Sequence, residues 1–145
     1  MKSVFTKDLE VGKTYENKVL HIIQKKYPKA YLIDGYCKEW DIYIPELEKG
    51  VEVKYDRKSL YTGNIVIEIE FDGKPSALIT TKADWWVIYD GIKYNWFTVN
   101  NIKKCIKENN LRSKRFVGRG DTKEKKAYLI KKEILYKYRE NETRR

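Results

Sequence analysis

Histidine, cysteine and long apolar runs are scarce in this 145-residue chain, and each scarcity excludes a class of protein. One histidine, His21, is too few for a histidine-rich metal site and leaves little for a Ser-His-Asp triad. The two cysteines, Cys37 and Cys105, lie far apart without CxxC spacing, which argues against a zinc site or a disulfide framework. No apolar run approaches the ~20 residues of a membrane span, and the N-terminus lacks the apolar stretch of a signal peptide. We therefore predict an intracellular, cytoplasmic protein with no membrane partner.

Positive charge is the property that the chain has in excess. Lys and Arg number 31 against 21 Asp and Glu, which gives a net charge of +10 at pH 7 and a pI near 9.4. This balance favours a polyanionic partner, with nucleic acid first; the alternative is a surface that is merely rich in lysine. The length and the 41% of hydrophobic residues predict one globular domain that spans residues 1–145.

Two neighbouring runs, residues 40–44 and 50–55, alternate between apolar and polar side chains. Period-two alternation with β-branched and aromatic residues is typical of strands. The connection between the runs is short and contains proline and glycine, so an antiparallel hairpin is predicted. In the first run, the alternation predicts that Trp40 lies on the same apolar face as Ile42.

The polar face of this hairpin carries Asp41 from one strand and Glu52 and Lys54 from the other. Two carboxylates held close together repel each other unless a cation neutralises them, and hard oxygen ligands favour Mg²⁺ or Mn²⁺. A lysine beside such a cation can hold an attacking water or stabilise negative charge on a phosphoryl oxygen. The three residues therefore suit phosphodiester hydrolysis. The alternative is an ordinary amphipathic hairpin with a solvated charged face.

The segment before the hairpin, residues 8–27, has the apolar periodicity of a helix, with Asp8 as its predicted N-cap. Glu16 shares the apolar stripe of this helix, so its carboxylate is expected on or beside the buried face. Two interpretations stay open: a boundary glutamate paired with a lysine, or a third acid that the helix brings to the hairpin.

The rest of the chain predicts strands at residues 30–35, 64–71, 84–89, 93–97 and 127–130, and helices at residues 98–109 and 131–138. The strand at residues 64–71 is expected to be the third strand of a meander that includes the hairpin. Its Glu68 and Glu70 lie either near the site or in solvent, and solvent is favoured. The three tryptophans of residues 84–97 are expected in the core rather than as stacking platforms for bases.

Basic and hydroxyl side chains outside the hairpin are candidates for phosphate contact. Arg57 and Lys58 lie in a polar loop, and residues 111–126 form a basic segment that includes Arg119. That segment is either a flexible loop or an arm that follows a nucleic-acid backbone. Residues 74–82 combine small hydroxyls with a lysine and are expected to open with a short helix; the alternative is a cap followed by a connector.

The pattern resembles that of the PD-(D/E)XK nuclease superfamily. The residues that carry the resemblance are Tyr15 and Glu16 in the first helix, Asp41 at the opening of a strand, and Glu52, Val53 and Lys54 in the next strand. The likeness covers residues 8–97 and is nearest to small resolvase-like nucleases and nucleases of phages or archaeal viruses. Trp40 stands where the family pattern has proline. The resemblance implies an α/β fold with a restriction-endonuclease-like core, in which a mixed central sheet is flanked by helices.

The resemblance also implies roles for individual residues. Asp41 and Glu52 would bind Mg²⁺ or Mn²⁺ with the backbone carbonyl of Val53, and Lys54 would position or activate the water. Glu16 would hold a second metal ion or a water bound to the metal. Weaker candidates for phosphate contact are Ser76, Thr80, Thr81 and Lys82.

Composition, element order and motif together predict a magnesium-dependent deoxyribonuclease, endonucleolytic rather than exonucleolytic, with selectivity for junction or branched DNA left open. A virus-encoded member would act inside the host cell. A homodimer is left open, since cutting two strands symmetrically requires one. The rival interpretation is a basic nucleic-acid-binding module without catalysis, and the third is a scaffold whose charge serves only solubility.

Overall fold

A computed structural model describes residues 4–35, 39–118 and 120–140 of the protein, with side chains from residue 12 onward. The helices are α1 (Val4–Gln24), α2 (Ser59–Thr62), α3 (Val99–Glu108) and α4 (Lys132–Leu135), which is followed by a 3-10 turn (Tyr136–Tyr138). The strands are β1 (Tyr31–Leu32), β2 (Ile42–Ile44), β3 (Lys49–Tyr55), β4 (Asn64–Phe71), β5 (Lys74–Pro75), β6 (Trp85–Tyr89), β7 (Tyr94–Thr98), β8 (Lys114–Val117) and β9 (Glu124–Lys131).

The first sheet is mixed, with strand order β1-β2-β3-β6-β7. The predicted hairpin is confirmed: β2 and β3 are antiparallel, with Ile42 opposite Val51 and Ile44 opposite Lys49. Strand β6 runs parallel to β3 and pairs with β7 through a hairpin. The order of these elements is therefore a helix, a three-stranded meander and, after a long crossover, a strand parallel to the last strand of the meander.

The second sheet is antiparallel, with strand order β5-β4-β9-β8. Its centre is the long pair of β4 and β9, in which Ile65 lies opposite Ile130. The expectation that residues 64–71 complete the meander is wrong, because β4 pairs with β5 and β9 and belongs to this second sheet. Alternation fixed which side chains of β4 face inward, but it carried no information on the partner strand.

Two hydrophobic clusters cover the two faces of the mixed sheet. One cluster joins α1 to the sheet through Val19 and Val51, which are both fully buried. The other fills the space between Trp86 on β6, Ile67 on β4 and Ile102 on α3. The three tryptophans belong to the core as predicted: Trp86 and Trp96 are buried, and Trp85 packs edge-to-face on Trp96.

Several local predictions are corrected by the elements. Helix α1 begins at Val4, so Asp8 lies within the helix and is not its N-cap. The short helix expected to open residues 74–82 is not formed, because residues 74–75 are strand β5 and residues 77–80 are turns. The basic segment is β8 and the start of β9, paired as a ribbon. No helix among the described residues is long and apolar enough to cross a membrane.

The predicted N-cap of the helix after β7 is confirmed. The Thr98 side chain accepts a hydrogen bond of 3.0 Å from the backbone N–H of Asn101, which satisfies one of the donors left free at the start of α3. This cap fixes the direction in which the chain leaves the mixed sheet and lets Ile102 enter the core.

Candidate functional site

Asp41 lies at the point where β2 and β3 separate. Its backbone N–H still donates to the Val51 carbonyl at 2.9 Å, which continues the hairpin one residue beyond β2. Its carboxylate Oδ2 accepts a hydrogen bond of 2.7 Å from the backbone N–H of Val53. This short bond holds the Asp41 carboxylate beside the backbone that joins Glu52 to Lys54.

The carbonyl of Val53 lies on the same side of β3 as Asp41. In a strand, the N–H and C=O of one residue lie on the same side, and the next residue points to the opposite side. The carbonyl of Val51 and the N–H of Val53 both face Asp41. The carbonyl of Val53 therefore also faces that side of β3. It lies beyond the last pair of β2 and β3, which is Ile42 opposite Val51.

Glu52 and Lys54 project from the face of the mixed sheet that turns away from α1. Their register partners on β6 are Trp86 and Ile88, which belong to the core on that face. The Lys54 Nζ atom lies 3.7 Å from Glu52 Oε2 and 5.2 Å from the centroid of the Trp86 ring. The indole ring and the carboxylate together hold the ammonium group in place.

Trp40 lies on the same face as Glu52, so the prediction that it shares the face of Ile42 is wrong. Its ring stacks on Tyr43 at 5.5 Å and packs against the core on the side away from α1. It covers Gly50 so closely that a Cβ on this glycine would lie 2.4 Å from Trp40 Cδ2. The alternation fails at Trp40 because β2 begins only at Ile42, and the missing side chain of Gly50 makes room for the indole.

Glu16 is carried by α1 on the opposite face of the mixed sheet. The neighbouring Tyr15 packs its ring 5.0 Å from that of Tyr55, and the Glu16 side chain is partly buried. Glu16 therefore lies on a helix that packs on the face of the mixed sheet opposite to the face of Glu52. Its role as a third acid stays a prediction.

The donor set at the hairpin fits a hard divalent cation. Two carboxylates, of Asp41 and Glu52, and the Val53 carbonyl are oxygen donors, the kind that Mg²⁺ and Mn²⁺ prefer. Among the described residues, no group of three or more His, Cys, Asp or Glu side chains is arranged to hold a metal ion. A cation bound here would therefore be held by these two carboxylates and the carbonyl, with water completing its coordination.

A cleft of about 440 Å³ opens beside Lys54, between the mixed sheet and the second sheet. The charged side chains that line it are Lys54, Asp56, Lys58, Glu68 and Lys125. Its apolar walls come from Trp86 and Ile88 on one side and from β4 and β8 on the other. Lys54 thus belongs both to the hairpin site and to the cleft.

The two acids of the cleft are engaged by hydrogen bonds. Asp56 Oδ2 accepts the N–H of Val66 at 2.9 Å, and Glu68 Oε2 accepts the hydroxyl of Ser76 at 2.7 Å. Burial raises the pKa of Asp56 above its ordinary value, because desolvation outweighs the hydrogen bonds that favour its charged form. Glu68 is partly buried in the cleft, so the favoured expectation of a solvated side chain is wrong.

The predicted phosphate contacts fall into different environments. Ser76 is bound to Glu68, and the Thr81 oxygen accepts the Ala83 N–H and the Trp86 Nε1–H, each at 3.2 Å, so both have structural roles. Lys82 is exposed and forms an ion pair of 3.6 Å with Glu39.

The remaining candidates for phosphate contact are Arg57, Lys58, Thr80 and Arg119. Arg57 and Thr80 are exposed, and Lys58 is exposed at the wall of the cleft. Arg119 lies outside the described residues. Of these basic and hydroxyl side chains, Lys58 is the one that the described structure brings to the same cleft as Lys54.

Two residues of the second sheet that the sequence did not predict as site residues also line the cleft. Phe116 on β8 lies directly opposite Lys125 on β9, and both line the cleft. The Lys125 Nζ atom lies 5.9 Å from the centroid of the Phe116 ring and 3.1 Å from Asp121 Oδ2. The only signal in the sequence was the pair of strand-forming residues, Phe116 and Val117, inside an otherwise basic segment.

Comparisons of the chain with protein-family models, with curated proteins and with solved structures find no match. The function is therefore inferred from the geometry of the site and from the chemistry of its side chains.

Proposed function

We propose that the protein is a magnesium-dependent nuclease that hydrolyses phosphodiester bonds in DNA. The observation that carries the proposal is the 2.7 Å hydrogen bond from the Val53 N–H to Asp41 Oδ2. It keeps the first carboxylate next to the Glu52-Val53-Lys54 segment, against the repulsion that two nearby carboxylates would otherwise exert. A net charge of +10 supplies the attraction for a polyanionic substrate.

The topology of the mixed sheet supports a restriction-endonuclease-like core. A helix precedes a three-stranded antiparallel meander, and the next strand of that sheet, β6, is parallel to β3. The resemblance implies a helix, a three-stranded meander, a helix and a strand. Here the meander is β1-β2-β3 and does not include residues 64–71, and the crossover from β3 to β6 contains α2, β4 and β5.

In the proposed reaction each side chain has a distinct task. Asp41, Glu52 and the Val53 carbonyl would hold the cation, which would supply positive charge against the phosphate and lower the pKa of water at the site. The Lys54 ammonium would offset the negative charge that develops on the phosphoryl oxygens as water attacks in line. The 3.7 Å separation between Lys54 and Glu52 keeps this ammonium beside the carboxylates.

The test compares two Asp→Asn variants that remove the same kind of backbone contact. Asp41 Oδ2 accepts the Val53 N–H, and Asp84 Oδ2 accepts the Gly50 N–H at 3.0 Å, at the other end of β3. In Asp41→Asn the amide oxygen can still accept the hydrogen bond, but the charge that would hold a cation is lost. We expect this variant to lose magnesium-dependent cleavage while it still binds DNA, and Asp84→Asn to cleave like the wild type.

The assay is gel electrophoresis of branched, duplex and single-stranded DNA incubated with and without Mg²⁺, at fixed ionic strength because binding depends on salt. If the wild-type protein cuts none of these DNAs, nor RNA, with Mg²⁺ or Mn²⁺, the proposal is wrong and the non-catalytic binding module replaces it. Equal cleavage by Asp41→Asn and the wild type would also refute the assigned site.

A further inference from the structure

We infer that the cleft beside Lys54 binds one unpaired nucleotide of single-stranded DNA, with the Phe116 ring as its stacking surface. The inference rests on the proposed function, because it names the form of DNA that the same site would take. It assigns Phe116 and Lys125, on the ribbon of β8 and β9, to the wall of the substrate site.

The size of the cleft favours a single nucleotide. Its volume of about 440 Å³ lies within the ~300–1,000 Å³ of pockets that enclose one small molecule. A nucleotide belongs to this class of ligand, whereas a base pair with two backbones does not. Enzymes that modify a base inside a pocket use single strands or extrude the nucleotide from the duplex, so a nucleotide enclosed in this way is unpaired.

The walls of the cleft offer the two surfaces that a nucleotide requires. Lys54 and Lys58 lie on the side of the mixed sheet, and Lys125 lies across from them. Between these cations, Phe116 and Trp86 contribute apolar surface. Single-stranded DNA is typically bound by such a combination of cations that follow the backbone and aromatic rings that stack on bases.

The two acids of the cleft are already engaged by donors of the protein. Asp56 accepts a hydrogen bond from the Val66 N–H, and Glu68 accepts one from the Ser76 hydroxyl. Lys54 lies next to Glu52 in the hairpin site. A phosphate bound at Lys54 would therefore have its own nucleoside inside the cleft, and the base would meet Phe116.

Binding is measured by fluorescence anisotropy with a short labelled oligothymidylate, alone or annealed to oligodeoxyadenylate, in EDTA so that no cleavage occurs. We expect the single strand to bind more tightly than the duplex at equal salt, because only an unpaired base can stack on Phe116. Phe116→Leu keeps an apolar side chain at the wall but removes the aromatic face, and loss of one stacked base corresponds to about 5- to 150-fold weaker binding. Phe116→Trp should retain the affinity.

The matched control is Tyr31→Leu, which removes an exposed aromatic ring on β1 that is not among the described lining residues of the cleft. We expect its affinity for the single strand to equal that of the wild type. Equal binding of single strand and duplex, or equal affinities of Phe116→Leu and Tyr31→Leu, would overturn the inference.

Cleavage assays separate this inference from the proposed function. A protein that cuts DNA but shows no effect of Phe116→Leu would remain a nuclease, and the cleft assignment would be wrong. A protein that cuts no nucleic acid but loses single-strand affinity in Phe116→Leu would support the cleft and refute catalysis.

Discussion

Replacing Tyr136 by phenylalanine should destabilise the protein by about 2 kcal/mol at neutral pH, the value expected for a hydrogen bond to a buried charge. The Tyr136 hydroxyl donates a 2.7 Å hydrogen bond to Oδ2 of Asp90, a residue that is only 3% exposed. Burial opposes ionisation of Asp90, but hydrogen bonds from Tyr136, from the N–H groups of Lys93 and Ile92, and from Asn95 outweigh it. They lower the pKa of Asp90 from 3.8 to about 2.

The pKa of Asp90 also sets the pH range of the effect. Because its pKa is lower in the folded protein, its hydrogen bonds stabilise the fold above the unfolded pKa of 3.8, and this stability is lost as the pH falls through about 2. A shift of this size corresponds to about 2 kcal/mol when some screening by solvent is allowed for. The stability difference between wild type and Tyr136→Phe should therefore be constant near neutral pH and shrink in acid.

The measurement is urea unfolding followed by circular dichroism at pH 7 and at a series of lower pH values. Tyr138→Phe is the matched control, since the Tyr138 hydroxyl also donates a 2.7 Å hydrogen bond to a carboxylate, that of Glu108, but at the exposed surface. We expect a clearly smaller change in the urea midpoint for this variant. Equal midpoints for the two variants, or a Tyr136→Phe protein as stable as wild type at pH 7, would refute the reasoning.

Two further predictions concern the packing at Gly50 and the burial of Cys105. Gly50→Ala should lower the free energy of unfolding in urea by about 1–3 kcal/mol, because the new Cβ would lie 2.4 Å from Trp40. In Gly12→Ala the new Cβ would lie 4.0 Å from Tyr55, so this variant should be as stable as the wild type or more stable. A Gly12→Ala protein less stable than Gly50→Ala would contradict the packing described. Burial and the nearby charge of Glu108 raise the pKa of the buried Cys105 thiol. In a Cys37→Ser background, Cys105 should therefore react with Ellman's reagent only after unfolding. Rapid reaction of the native protein would contradict the burial of Cys105.

The hairpin was predictable from the sequence because its signals are local. Alternation over residues 50–55 put Glu52 and Lys54 on one face, and the short connection to residues 40–44 left an antiparallel pair as the simplest arrangement. The paired register of β2 and β3 agrees with both. Trp40 was assigned to the wrong face because its position depends on the space above Gly50. The alternation of apolar and polar residues gives no information about that space.

The second sheet could not be predicted in the same way. The alternation of β4 identified a strand and its inward side chains, but its partner β9 lies more than fifty residues further along the chain. The strand β8 was hidden because three of its four side chains are exposed or charged, so its segment reads by composition as a loop. Its place in a sheet depends on pairing with β9, and therefore on non-local contacts.

The sequence by itself determined the chemistry: a strongly basic chain with two carboxylates and a lysine on neighbouring strands, each on a face set by the two-residue period of β structure. Only the tertiary structure decided that Asp41 accepts a hydrogen bond from the backbone of Val53, that α1 carries Glu16 on the opposite face, and that Phe116 and Lys125 lie across a cleft from Lys54. The reason is physical. Local backbone geometry sets the direction of a side chain within its strand, whereas the neighbours of that side chain depend on how distant segments bury their apolar faces against one another.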